Sequence, residues 1–222
     1  MGVILNIDTA LEQASVSIAS EGNILFSLET QSQKDQASWL HPAIQTCCEQ
    51  AGVSLTEIDA VAVSIGPGSY TGLRVGLSTA KGICYATGCK LIGVSTLQIL
   101  ASTAVNEDCD LICPMIDARR MEVYTAVYEK TLNPVKKPFA IILNHNSFSA
   151  ELKENKVLFL GSGAQKFQEL CKSPHAIFKQ VQIRPYSMAQ LSENCFVDNN
   201  FVDIAYSEPL YLKDFYSGQS QS

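Results

Sequence analysis

Val3-Ile4-Leu5-Asn6, closed by Ile7-Asp8-Thr9-Ala10, opens the chain, and Leu111-Ile112-Cys113-Pro114-Met115-Ile116, closed by Asp117, repeats that plan near the midpoint. Both are apolar runs of strand length that end on an aspartate. Each leads through a turn into an alternating stretch, Ala14 to Ala19 in the first case and Glu122 to Tyr128 in the second. The two aspartates stand 109 residues apart in a chain of 222. Repetition at half the chain length predicts two copies of one supersecondary plan. We read an α/β fold with a duplicated βββαβα order. The polar break Asn106-Glu107-Asp108 divides it into a first lobe, 1–106, and a second, 107–222.

Outward from these strands, Glu21-Gly22-Asn23 turns the chain into Ile24 to Thr30, which completes a three-stranded meander. After the polar stretch Gln31 to Gln36, Ser38 to Ala51 carries Leu40, Ala43, Ile44, Cys47 and Cys48 at helical spacing. Pro42 fits only in its first turn, and Gly52 marks its end. Ile58 to Ile65 is a buried strand, Gly66 to Gly72 a loop, and a helix then runs to Thr87, where Gly88 stops it. Leu91 to Val94 is a short strand, and Ser95 caps a helix through about Val105. Further on, strands are expected near Phe139 to Leu143 and Val157 to Leu160, and helices near Gly163 to Cys171 and Met188 to Asn194. A polar tail runs from Gly218 to Ser222.

With 16 Lys and Arg against 22 Asp and Glu, the net charge of −6 offers no general field for a polyanion. The opening residues lack a basic leader and meet Asp8 before a signal-length apolar run develops, and no run of eighteen apolar residues occurs, so a cytoplasmic chain without membrane contact is expected. The eight cysteines form no Cys-x-x-Cys pair and no zinc template, and they read as reduced thiols serving as small core residues. His41, His145 and His175 are too scattered to seat a metal on one helical face.

The densest local signal is Gly66-Pro67-Gly68-Ser69-Tyr70-Thr71-Gly72-Leu73-Arg74-Val75-Gly76, between a buried strand and a helix. Such a loop either presents backbone amides to an anion or makes a structural turn, and both readings stand. It is not a Walker A loop, because Gly72-Leu73-Arg74 replaces the terminal Gly-Lys-Ser/Thr. Gly72, Gly76 and Ala80 share one helical face beside Leu73 and Leu77. That face either packs on the lobe's own sheet or forms a seam for a partner helix. Trp39, Leu40, Ala43, Ile44 and Cys47 on the preceding helix add apolar surface and give weight to a subunit contact.

Five further stretches complete a pattern with the glycine-rich segment: Ile7-Asp8-Thr9-Ala10, Gly93-Val94-Ser95-Thr96-Leu97, Asp117-Ala118-Arg119-Arg120-Met121-Glu122-Val123-Tyr124, Gly161-Ser162-Gly163-Ala164 and Pro209-Leu210-Tyr211-Leu212-Lys213. Together they resemble the TsaB (YeaZ) family, the dimerisation subunit of the bacterial tRNA threonylcarbamoyladenosine complex and a paralogue of its glycoprotease-like catalytic subunit, TsaD. The resemblance implies a two-lobed actin-like ATPase (ASKHA-type) fold. It also implies that the metal-binding His-x-x-x-His of the catalytic paralogue falls on Thr96 and Leu100, which cannot replace imidazole.

The implied role is a non-catalytic scaffold for modification of the adenosine next to the anticodon. Its expected partners are a TsaD-type paralogue and a TsaE-type P-loop ATPase, with self-pairing when alone and tRNA reached only through the complex. No metal and no cofactor are expected, apart from a nucleotide at the joint interface with the partner. Asp8, Gly66, Gly68, Ser69, Thr71 and Gly72 would form a degenerate or shared nucleotide site. Trp39, Leu40, Ala43, Ile44, Cys47, Leu73, Gly76, Leu77 and Ala80 would form the partner interface. The rival readings are a glycoprotease-like metallopeptidase or small ATPase working in the cleft between lobes, and a direct tRNA-binding module using Arg119, Arg120, Lys136 and Lys137.

Overall fold

The computed structural model describes residues 2–30, 35–181 and 183–213. The first half runs β1 (Val3–Asp8), β2 (Ser15–Ser20), β3 (Asn23–Glu29), α1 (Gln36–Ala51), β4 (Ala60–Gly66), α2 (Tyr70–Thr87), β5 (Lys90–Ser95) and α3 (Thr96–Ser102). The second half runs β6 (Leu111–Asp117), β7 (Glu122–Glu129), β8 (Pro134–Ile142), α4 (Ser149–Glu154), β9 (Val157–Leu160), α5 (Ala164–Leu170), β10 (Ala176–Lys179) and α6 (Pro185–Val197). The expected βββαβα order occurs in both halves, and each continues with one more strand and helix. The sheets are ordered β3-β2-β1-β4-β5 and β8-β7-β6-β9-β10, so the duplication holds strand for strand. In both sheets the meander is antiparallel and the later strands join in parallel.

Five layers follow from which face each side chain takes. Leu5, Ile7, Val16 and Ile18 point from the first sheet toward α1 and α2. Ile4, Ala60, Ala62 and Ile92 point the other way, toward Ile99 of α3 and Met188 and Leu191 of α6. The second sheet turns Ile112, Ile116 and Leu158 to Leu97, Leu100 and Ala101 of α3, and turns Met115, Val123 and Phe159 to α4 and α5. The central strands are covered on both faces, which is why they read as continuous apolar runs. Helix α3 therefore serves both sheets, and α6, the last helix of the second half, packs on the first half's sheet. A buried hydrogen bond of 2.6 Å from Ser192 Oγ on α6 to Asn6 Oδ1 on β1 fixes that crossing.

Several elements differ from expectation. Helix α1 begins at Gln36, so Pro42 is interior rather than in the first turn. Gln36 Nε2 donates to the carbonyls of Leu11 and Glu12 at 2.9 and 3.2 Å, which holds the extra turn. Pro42 and Ser38, whose carbonyl it leaves unbonded, both lie on the exposed face, where water can serve that carbonyl. Ser95 stands at the N-cap of α3 but makes no capping bond. That helix ends at Ser102 because Ser102 Oγ and Thr103 Oγ1 take the carbonyls of Ile99 and Leu100. Strand β8 starts at Pro134 and tolerates Pro138 because it is a sheet edge. Helix α4 and strand β10 went unread, since both are short and held by tertiary pairing. The stretch 31–34 and the Gly218–Ser222 tail lie outside the described residues.

Helix α2 approaches the end of β1 so closely that only glycine fits the contact. A Cβ on Gly72 would lie 2.0 Å from the Thr9 carbonyl oxygen, one on Gly76 2.3 Å from Thr9 Oγ1, and one on Gly68 2.3 Å from the Ala10 carbonyl oxygen. Thr9 Oγ1 donates to the Gly72 carbonyl at 2.7 Å, and the Ser69 amide donates to Ala10 O at 2.7 Å. By contrast, a Cβ on Gly82 of the same helix meets nothing within 4 Å. Gly72→Ala is expected to cost about 2 kcal/mol or more through backbone overlap. Gly82→Ala is expected to add about 0.5–1 kcal/mol by removing glycine's helix penalty. Urea midpoints of the two variants moving in opposite directions would bear this out.

Candidate functional site

The ends of β1 and β6, with the hairpins that follow them, face each other across a cleft of about 1300 Å³. Asp8 and Asp117 occupy equivalent places, each the last residue of a central strand. Their environments have diverged. Asp8 is buried, and its Oδ1 accepts from the Ala10 amide at 3.1 Å. Burial pushes its carboxyl above the ordinary carboxylate range, against the opposing pull of Ser64 and the Ala10 amide.

Asp117 is more open, and its Oδ1 accepts from Lys166 Nζ at 2.5 Å and from the Arg119 amide at 2.6 Å. Partial burial raises its carboxyl, but those two donors outweigh it and hold the group below the usual range. The first wall also carries Glu12 and Glu29, while the second carries Arg119, Arg120 and Lys166. Arg119 and Arg120 both have positive φ, 70° and 50°, in the β6–β7 turn.

Of the residues expected at a nucleotide, Asp8, Gly68, Ser69 and Thr71 line the cleft. Gly72 is turned onto Thr9, and Gly66 lies beside Leu73 and Leu210. Two of the loop's amides are already engaged: Ser69 N bonds to Ala10 O, and Gly72 N to the capping Ser69 Oγ at 3.3 Å. The loop packs on Thr9 and Ala10 as a structural turn does, while Gly68, Ser69 and Thr71 also face the cleft. The first hairpin offers no glycine between Thr9 and Ala14, and its charged side chain Glu12 repels phosphate. The residues present do not fit the ATP site of an actin-like ATPase.

A metal fares no better. Thr96 and Leu100 are both buried on α3, and the Thr96 hydroxyl has no hydrogen-bond partner. Among the described residues no three His, Cys, Asp or Glu side chains cluster. His145 and His175 turn their Nδ1 atoms to the carbonyls of Leu170 and Leu152, at 3.0 and 2.9 Å. The four cations weighed for tRNA are not brought together. Lys136 pairs with Val127 in register at the far end of β7 from the Arg119–Arg120 turn, and it forms an ion pair with Glu151.

The residues read as a partner seam sit largely inside the lobe. Leu40, Ala43, Ile44, Cys47, Leu77 and Ala80 are in the core beneath α1 and α2, Leu73 and Gly76 are buried, and Trp39 is half-buried against that core. What α1 and α2 leave outside is a different set. His41, Leu55, Ser78, Gly82, Ile83 and Ala86 line an open groove of about 350 Å³. Tyr85 beside it is 87% exposed.

Sequence reasoning also missed the segment after α6. It bonds Val202 N to Leu91 O at 2.9 Å and Leu210 N to Ile65 O at 2.7 Å, and so follows the first lobe's edge. Tyr211 then packs against Tyr70 with ring centroids 5.5 Å apart and planes tilted by 35°, and accepts from Arg74 Nε at 3.1 Å, while Lys213 pairs with Glu122 of the other sheet. The run Pro209 to Lys213 was visible only as part of a resemblance, with no partner readable from spacing.

The family model described as TsaD: tRNA N6-adenosine threonylcarbamoyltransferase matches residues 28–207. The chain belongs to this family. It is 29% identical to the tRNA threonylcarbamoyladenosine biosynthesis protein TsaB of Escherichia coli K12, over 95% of this chain and 94% of that protein. The Bacillus subtilis protein of the same name is also 29% identical, over 71% of this chain and 70% of its own. The solved structure of YeaZ from Pseudomonas aeruginosa superposes with a TM-score of 0.82 at 25% identity, covering 96% of this chain and all of that one. The resemblance to TsaB (YeaZ) and the α/β fold with a duplicated sheet plan are thus borne out.

The buried Asp8 has a pH signature. Its folded-state proton is held above the unfolded value of 3.8, so the folded chain binds more protons than the unfolded one as pH rises past that value. Stability is therefore lost with rising pH until Asp8 itself ionises. Asp8→Asn keeps the Ala10 acceptor and removes this slope. Thermal melts should show the variant gaining on the wild type as pH rises above about 4. A constant difference across that range would contradict the assignment.

Proposed function

We propose that the chain is a non-catalytic scaffold subunit for tRNA N6-threonylcarbamoyladenosine modification at the adenosine next to the anticodon, binding and stabilising a TsaD-type catalytic paralogue. The carrying observation is that the glycines at the mouth of the cleft are packed on Thr9 and Ala10, with the Ser69 amide bonded to Ala10 O and the Gly72 amide to the Ser69 cap. The first wall of the cleft, which also carries Glu12 and Glu29, has little left with which to grip phosphate. The open apolar groove on α1 and α2 supports the second half of the reading, since such a face suits association with another helical surface.

In this reading the partner covers the outer residues around Gly82 and Ile83 rather than the inner seam. A TsaE-type P-loop ATPase joins the pair, tRNA is held mainly by the other subunits, and any nucleotide sits at the joint interface. The same groove pairs two copies when the paralogue is absent. The acidic balance and the split of Arg119–Arg120 from Lys136 favour this arrangement over direct tRNA capture.

Gly82→Arg fills the groove without touching the core, because nothing lies within 4 Å of a Cβ there. Mixed with the purified TsaD-type subunit, this variant should lose co-elution on size exclusion while its circular dichroism and melting midpoint stay native. Native-like co-elution would move the partner to another face. Stoichiometric metal or tight ATP binding by the purified single chain would overturn the non-catalytic reading.

A further inference from the structure

Helix α2 ends in a thiol pair that neither the cleft nor the outer groove uses. Cys84 lies in its last turn, Gly88 caps it in the left-handed conformation at φ 78°, and Cys89 follows directly. The Gly88 amide donates to the Cys84 carbonyl at 2.8 Å, which folds the chain back on itself. The two sulfurs consequently lie 3.5 Å apart in hydrogen-bond contact. Among the described residues no other two cysteine sulfurs are in such contact, although eight free thiols are present. Cys84 is fully buried, whereas Cys89 keeps 8% of its surface open between the exposed Gly88 and Lys90.

We propose that Cys84 and Cys89 are a peroxide-oxidisable dithiol that closes to an intramolecular disulfide across the C-terminal cap of α2. Cys89, the sulfur with an opening to solvent, attacks hydrogen peroxide: its thiolate takes one oxygen, water leaves after proton transfer, and a sulfenic acid remains. The Cys84 thiol then attacks that sulfur, the S–O bond breaks, and a second water departs. Two thiols and one peroxide give one disulfide and two waters. The sulfurs must close from 3.5 Å to the bond length of about 2.05 Å, a shift within reach of side-chain rotation.

The acid–base order agrees with these roles. The hydrogen bond with Cys84 holds the Cys89 thiol below its ordinary range, with Thr87 assisting and burial opposing, while the same bond and burial push Cys84 up. A thiol reductant reverses the bond by exchange. The ring so closed contains Ala86 and Thr87, which line the outer groove, and the exposed Tyr85. The inference does not depend on the proposed function.

Trypsin isolates the pair, because cleavage after Lys81 and Lys90 releases Gly82–Lys90 with both sulfurs. The folded protein is treated with hydrogen peroxide, quenched with catalase, alkylated with iodoacetamide in denaturant and digested. Mass spectrometry should show Gly82–Lys90 unalkylated and two hydrogens lighter, returning to the doubly alkylated form after dithiothreitol. In Cys84→Ser, dimedone should label Cys89. The mapping of the wild-type peptide decides the matter even if that variant does not fold. Two outcomes overturn the proposal. One is a doubly alkylated peptide at doses that oxidise the half-buried Cys171 and Cys195, and the other is Cys89 recovered as sulfinic acid beside an alkylated Cys84.

Discussion

The contact between Thr9 and the small-residue face of α2 governs the rest of the molecule. A threonine hydroxyl held at 2.7 Å from a helix carbonyl draws α2 onto the end of the central strand, and three glycines remove the atoms that would prevent it. This approach brings the glycine-rich loop against Ala10 and leaves Asp8 buried behind it. The same contact that completes the first core thus engages the Ser69 amide of that loop. The second lobe also packs a glycine turn on its central strand, with Gly161 against Met115 O, yet it keeps its equivalent aspartate in an open ion pair with Lys166. Two copies of one plan have therefore reached opposite electrostatic outcomes at matching places.

This asymmetry sets what the cleft can do. One wall is acidic and closed, and the other is basic, strained at Arg119 and Arg120, and open. Thr96 and Leu100 add no ligand where the resemblance locates a metal in the catalytic paralogue. The outward side of α1 and α2 instead holds an open groove with Leu55, Gly82, Ile83 and Ala86 in its lining.

The duplicated architecture was legible because a strand covered on both faces is apolar along most of its length, as Val3 to Ile7 and Leu111 to Ile116 are. The glycine-rich segment was legible as important but not as to purpose, since an anion cradle and a close helix contact demand the same residue. Only the position of Thr9 O, set by tertiary packing, separates the two. Helical spacing correctly grouped Leu40, Ala43, Ile44, Leu73 and Leu77, yet periodicity cannot tell which neighbour an apolar stripe meets, and the lobe's own sheet meets this one. The Lys166–Asp117 pair, the Cys84–Cys89 contact and the Tyr211 strap join residues through loop geometry. Strand β10 and helix α4 were too short to carry a period.

The exchange of helices between halves bears on how the chain is made. Until α6 leaves the ribosome, the inner face of the first sheet lacks Met188 and Leu191, although every one of its own strands was finished about a hundred residues earlier. A nascent first lobe must wait with that greasy surface bare, and a prematurely terminated product would expose it permanently. Splitting the gene at the midpoint would accordingly yield two sticky fragments rather than two working modules.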